Sequence, residues 1–223
     1  MRYETVLFDL DGTLLDTSEG IIKGVEHTLS EMGLPQLPLE RCRSFIGPPI
    51  LSSFIRECSL SETDARRAVE IYRHRYKEVG LYESKKYKYI KQLLLSLKSN
   101  YCSVSIATLK REDFAKKLMK HFGLYNYFDS IRGIDQNDSL TKKDIILQCL
   151  NDLKQVDFSK AVFIGDSEYD AMGAQEAGID FIPVTYGFGF INKEEASRFK
   201  NVFVAENPKK LIYYLLSQEN LVG

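Results

Sequence analysis

Val6-Leu7-Phe8-Asp9-Leu10-Asp11-Gly12-Thr13 is the stretch on which the fold turns. Three apolar residues run straight into two carboxylates and a glycine. A short apolar run that stops at a turn signal reads as a buried strand followed by a loop. Apolar runs at Cys102–Ala107, near Ile131, at Ala161–Ile164 and at Phe181–Val184 predict further strands, with a weaker one at Val202–Val204. Helical patterns lie between and after them, at Tyr87–Leu97, Glu112–His121, Thr141–Leu153, Tyr169–Ala177 and Pro208–Leu216. Strands alternating with helices imply right-handed βαβ units. The expectation is an α/β fold, a Rossmann-like parallel sheet flanked by helices.

The segment after the first strand breaks this alternation. Residues 18–32 read as a helix opened by Ser18, with Ile21, Ile22, Val25, Leu29 and Met32 on one face and Gly33 at the end. Residues 39 to 80 read as all-helical, with a rigid turn at Gly47-Pro48-Pro49 and a helix start at Ser61. The chain therefore divides into a core, 1–16 with 81–223, and a helical insertion, 17–80.

Composition excludes several function classes. The 223 residues carry 30 Lys and Arg against 31 Asp and Glu, a net charge of −1. That balance gives no general attraction to nucleic acid. The few basic clusters have acids beside most of them and read as solvated helix faces. Cys42, Cys58, Cys102 and Cys149 are scattered, with no pairing or zinc-type spacing, and fit a reducing compartment. No apolar run is long enough to span a membrane, and the N-terminus lacks a leader pattern. The expected setting is cytoplasmic, with neither nucleic acid nor membrane as partner. His27, His74 and His121 share no motif and read as structural.

Ligands of open parallel sheets bind beyond the carboxyl ends of the strands. Polar residues stand at those ends here: Asp9 and Asp11 after the first strand, Thr108 after Ser103–Ala107, Asp166 after Val162–Gly165, with Asp170 four residues on. If the first strand and Ala161–Ile164 are neighbours, three or four carboxylates converge. Crowded carboxylates resist ionisation unless a cation neutralises them, and an all-oxygen set favours a hard ion, Mg²⁺ first. Thr108, the backbone after it and Lys142 could hold an anionic oxygen. A carboxylate nucleophile, a second carboxylate as acid and base, and this cationic surround suit phosphoryl transfer.

Phe8–Thr17, Thr108, Lys142 and Gly165–Asp170, in that order, resemble the four motifs of the haloacid dehalogenase superfamily in its phosphatase branch. The resemblance spans essentially the whole chain, including the helical insertion, which is similar to the cap of phosphoglycolate phosphatases. It implies that Asp9 is the nucleophile that becomes phosphorylated. Asp11 is then the general acid and base, with its backbone carbonyl on the metal. Asp9 and Asp166 ligate Mg²⁺ by side chain and Asp170 assists, directly or through water, while Thr108, the Leu109 backbone and Lys142 bind phosphate. Lys143 is the alternative to Lys142; the pattern Lys-x-Asp-Ile-Ile favours Lys142. Leu109 departs from the small or polar residue usual after the threonine. The resemblance makes residues near 14–18 and 79–84 hinges and Arg43 to Pro49 the loop nearest the substrate, with Arg43 and Gly47 as candidate contacts.

The expected substrate is a small phosphorylated metabolite resembling phosphoglycolate, a nucleotide or a sugar phosphate. The enzyme would be a monomer or a homodimer. Related dehalogenases lack the second aspartate, so Asp11 disfavours that reading. A sugar phosphomutase keeps all four motifs but usually carries a basic residue after the cap glycine, where this chain has Pro48, Pro49 and Ile50. Phosphonatases use a cap lysine, and nothing singles out Lys23. A silent binding protein would have lost Asp9 or Asp11.

Overall fold

The computed structural model describes residues 2–135 and 139–216. In chain order the elements begin with β1 (Thr5–Phe8), β2 (Leu15–Asp16), α1 (Ser18–Glu31), α2 (Leu39–Arg43), α3 (Ile50–Cys58) and α4 (Glu62–Arg75). A π-helical turn, Tyr76–Gly80, leads to β3 (Lys85–Lys86), α5 (Ile90–Ser99), β4 (Ser103–Arg111), α6 (Glu112–His121) and β5 (Ser130–Ile134). Then come α7 (Lys142–Asp152), β6 (Ala161–Gly165), α8 (Glu168–Ala177), β7 (Asp180–Pro183), α9 (Lys193–Ala196) and α10 (Pro208–Leu216).

Five strands form one parallel sheet in the order β5-β4-β1-β6-β7. Both faces are covered, which is why the strands read as continuous apolar runs. Side chains of a strand alternate between faces. Val6, Phe8, Val104, Ile106, Val162 and Ile164 join one core with residues of α5, α6 and α10. Leu7, Ala107, Ala161 and Phe163 join the other, with Ile145, Ile146 and Cys149 of α7 and Ala171 and Ala174 of α8. β1 is central, with β4 on one side and β6 on the other. The direction of strand succession reverses at β1, so the crevice opens at its carboxyl end.

Helices α1–α4 lie between β2 and β3. Their interior is aromatic: Phe45, Phe54, Tyr72 and Tyr76 follow one another at ring separations of 5.0, 6.2 and 5.4 Å. Tyr76 then meets Phe114 of α6 at 5.7 Å, so the series ends on the sheet's flank. Ser61 caps α4, accepting a hydrogen bond from the Asp64 N–H.

Several expectations need correction. The two connections to the helical segment form a small antiparallel ribbon, Leu15 opposite Lys86 and Asp16 opposite Lys85. Two-residue strands leave no periodicity to read. Ser18 is the first helical residue rather than the cap, and Thr17 occupies the cap position without capping. The helix expected from Tyr87 begins at Ile90, because Tyr89 takes a left-handed conformation and the Tyr87 N–H is drawn to the Leu14 carbonyl. Val202–Val204 is not a strand. It follows the edge of β7 through backbone bonds from Val202 to Phe181 and from Ala205 to Pro183, without a regular ladder. The strand expected over Cys102–Ala107 runs on to Arg111.

All four cysteines are free thiols. Among the described residues, no helix is long and apolar enough to cross a membrane. His27, His74 and His121 are exposed on α1, α4 and α6.

Candidate active site

Asp9 follows β1 directly, and its N–H is held by the Ile164 carbonyl of β6 at 2.8 Å. Asp166 follows β6. Asp170 lies in the first turn of α8, where its Oδ2 accepts from the Ser167 N–H and hydroxyl at 3.0 and 2.8 Å. That bond explains the spacing of Gly165–Asp170: the second acid closes the helix start while its other oxygen stays in the site. Asp9, Asp166 and Asp170 are all buried, and each presents an oxygen within 4.8 Å of the others. They are the only such group of possible metal ligands among the described residues.

Lys142 reaches the same place from the start of α7. A capping box fixes that start, with the Thr141 Oγ1 accepting from the Asp144 N–H and the Asp144 carboxylate accepting from the Thr141 N–H. This accounts for the acid two residues after the lysine. The Lys142 ammonium lies 2.7 Å from Asp9 Oδ1, 2.7 Å from Asp170 Oδ1 and 3.2 Å from the Ala107 carbonyl. Lys143 is only partly buried and makes none of these contacts. Thr108 is buried at the point where β4 leaves its regular pairing.

One ammonium serves two carboxylates here, with a third beside them. Burial pushes the Asp9 carboxyl up to about 7; Lys142 opposes the rise, and Asp170 and Asp11 add to it. Burial raises Asp166 as well, with Asp170 and Asp9 contributing, against the N–H groups of Phe188 and Gly189 that hold its Oδ2 at 2.7 and 3.1 Å. Desolvation works against the charge on Lys142, yet Asp170 and Asp9 together lift its pKa above the ordinary lysine value. Three acids thus face one ammonium, and the site favours the neutral forms of Asp9 and Asp166 over the ionised ones.

Gly12 is required by this packing. Its φ is +77°, and a Cβ there would lie 2.1 Å from Asp166 Oδ2. The Asp-x-Asp-Gly order thus lets the loop after β1 pass against the acid after β6.

Asp11 turns away from the three-acid group. Its Oδ1 accepts from Thr17 Oγ1 at 2.6 Å, which is why Thr17 does not cap α1. Lys110 donates to both Asp11 oxygens, at 3.0 and 2.9 Å. Asp11 and Lys110 face a cleft between the helical segment and the sheet. Gly47, Pro48, Phe45, Tyr72 and Leu109 are among its walls. Arg43 is not among the lining residues; its guanidinium meets Glu40 on the outside of α2. The structure thus brings Gly47 to the cleft and leaves Arg43 away from it.

Residues 6–184 match the family model of haloacid dehalogenase-like hydrolases. The chain belongs to that family. Among relatives of this haloacid dehalogenase-like hydrolase is a 5'-nucleotidase of Pseudomonas aeruginosa. It is 36% identical over 189 residues, covering 85% of this chain and 86% of the relative. A phosphoglycolate phosphatase of Aquifex aeolicus is 29% identical, covering 85% and 88%. The structure of a predicted phosphatase from Clostridium acetobutylicum superposes with a TM-score of 0.89 at 37% identity, over 96% of this chain and 99% of that one.

Sequence reasoning gave no role to Lys110, Thr17 or the Gly187–Gly189 loop of this hydrolase. Lys110 stands two residues after Thr108, the spacing at which a strand repeats a face. Thr17 stands beside Ser18, which the sequence offers as the cap, and no pattern marks it as a partner of Asp11. The loop at Tyr186–Phe190 carries alternating glycines, a sign of close backbone approach.

Proposed function

We propose that this enzyme is a Mg²⁺-dependent phosphatase that hydrolyses a small phosphomonoester through an aspartyl-phosphate on Asp9. The observation that carries this reading is the buried Asp9–Asp166–Asp170 group with Lys142 at 2.7 Å from Asp9. The names borne by the relatives, 5'-nucleotidase and phosphoglycolate phosphatase, support the same class of substrate.

The residues present fit Mg²⁺. The donors are all carboxylate oxygens, and burial and mutual repulsion raise Asp9 and Asp166, a burden that a divalent cation lifts. Asp9, Asp166 and Asp170 would hold the ion by side chain, with the Asp11 carbonyl as a further ligand, and its charge would offset that of the phosphoryl oxygens.

The chain's own groups then divide the work. Lys142, the Thr108 hydroxyl and the Leu109 N–H hold phosphoryl oxygens. An Asp9 oxygen forms a bond to phosphorus as the bond to the leaving oxygen breaks. That oxygen keeps the electron pair and takes the proton of the Asp11 carboxyl. Asp11, now a carboxylate, draws a proton from water, whose oxygen attacks phosphorus. The bond to Asp9 breaks, phosphate leaves and Asp11 is protonated again. Phe45, Ile50, Tyr72 and Phe114 give the cleft apolar surface, and closure of the helical segment over it would exclude bulk water.

Phosphate release from phosphoglycolate, nucleoside monophosphates, sugar phosphates and pyrophosphate tests the proposal. Release is expected with Mg²⁺ and is expected to vanish on chelation and in folded Asp9→Asn. Equal release by Asp9→Asn and wild type would overturn it.

A further inference from the structure

Lys110 is a buried cation for which the mechanism above has no use. Its side chain is 7% exposed and that of Asp11 9%, so the pair is not a surface salt bridge. Burying two charges costs desolvation that their attraction repays poorly. Net stability is therefore a weak reason for the pair, and geometry is a stronger one. Lys110 contacts both Asp11 oxygens, which fixes the carboxyl's rotation about its last bond. Thr17 touches only Oδ1.

The placement of Lys110 is itself constructed. Thr108 pairs with Gly133 and Arg111 with Ile134, so Leu109 and Lys110 bulge out of the β4–β5 ladder. Bulges re-aim side chains beside active sites. Gly133 permits this one, since a Cβ there would lie 2.4 Å from the Lys110 carbonyl. The ammonium then lies 4.8 Å from the ring centre of Tyr76, the first residue of the π-helical turn that ends the helical segment. A cation over a buried aromatic face is attracted to it. Tyr76 is 1% exposed and wedged between Tyr72 and Phe114, so its ring is a fixed surface.

We propose that Lys110 is the positioning residue that aims the Asp11 carboxyl at the leaving oxygen, and that Tyr76 of the helical segment holds Lys110 in that position. The proposal rests on the phosphatase reading. It joins the acid to the helical segment by a side-chain path of two contacts, Tyr76 to Lys110 to Asp11. A helical segment that moved away would take the Tyr76 ring from Lys110 and loosen the acid.

The test exploits leaving groups. Departure of p-nitrophenolate needs no proton, whereas departure of an alkoxide does, and kcat/KM reports only steps up to that departure. Wild type, Lys110→Met and Tyr76→Leu are compared on p-nitrophenyl phosphate. The second substrate is whichever of phosphoglycolate, AMP and glucose 6-phosphate wild type hydrolyses fastest. Lys110→Met is expected to lose about 30-fold or more in kcat/KM on the alkyl ester, mostly in kcat, and less than about threefold on the aryl ester. Tyr76→Leu is expected to show the same selective loss at about 3–10-fold. Equal losses on both esters, or none on either, overturn the proposal. If Lys110→Met does not fold, Tyr76→Leu decides by the same criterion. A wild type inactive on every ester brings down the phosphatase reading and this proposal together. Selective loss leaves both standing.

Discussion

At the scale of the residue, the site is a problem of crowded negative charge. Asp9, Asp166 and Asp170 share a buried volume with one lysine. Replacing Lys142 by Met removes the ammonium that meets Asp9 and Asp170, and kcat/KM is expected to fall by about 10³-fold or more. Phosphate release assays on protein of verified fold measure it. Gly12→Ala carries a different penalty. The left-handed backbone costs about 1–3 kcal/mol for a side chain, and the new methyl would press on Asp166 Oδ2. A lower Tm together with lost activity is expected, because the clash displaces a candidate metal ligand. Much of this was legible in the sequence. Asp9 and Asp166 stand directly after apolar runs, with Asp11 two residues beyond Asp9, and strand ends are where a parallel sheet gathers its chemistry. Lys110 was only half legible: its spacing from Thr108 puts it on the same strand face, but the bulge at Leu109 and Lys110 that carries its ammonium to Asp11 leaves no mark in the sequence.

At the scale of the element, the helix starts position the site. The starts of α7 and α8 each use a side chain–backbone cap, and each delivers one charged group, Lys142 and Asp170. The two helices pack closely enough that a Cβ on Gly173 of α8 would lie 2.4 Å from Lys142 Cγ. Glycine to alanine inside a helix ordinarily stabilises by about 0.5–1 kcal/mol. Gly173→Ala is expected to do the reverse, lowering Tm and cutting kcat/KM by about tenfold or more as Lys142 is displaced. A rise in Tm with unchanged activity would show that α7 and α8 yield freely. Sequence patterns found these helices because Ile145, Ile146, Cys149 and Leu150 of α7, and Ala171, Ala174 and Ala177 of α8, recur at helical spacing. They did not find β2 and β3, which are two residues each and owe their pairing to the chain's return from the helical segment.

At the scale of the whole molecule, the charge burden couples metal, pH and stability. Without metal, folded Asp9 has its pKa raised from the ordinary 3.8 to about 7, so between these values the folded state binds more protons than the unfolded one. Stability linked to Asp9 is then full below about pH 4 and lost as pH rises through about 7. Raised Asp166 acts in the same direction. Thermal unfolding of metal-free protein is expected to show this decline, superimposed on the rest of the titration. Mg²⁺ is expected to raise Tm more at pH 8 than at pH 5, and Asp9→Asn to shrink that difference. A Mg²⁺ effect independent of pH would speak against ligation by these acids. The aromatic path from Phe45 to Tyr76 and on to Phe114 makes the helical segment one packed body with the sheet's flank. Composition alone could not show that continuity.

The covalent step on Asp9 is isolated by Asp11→Asn. With p-nitrophenyl phosphate this variant needs no acid to form the intermediate and lacks the base to hydrolyse it. Rapid mixing is expected to release a burst of p-nitrophenol equal to the enzyme present. Acid-quenched digests are expected to carry one phosphoryl group on the peptide holding Asp9. A phosphoryl group on any other residue would rule out Asp9 as the nucleophile, as would steady turnover with no burst and an unmodified Asp9.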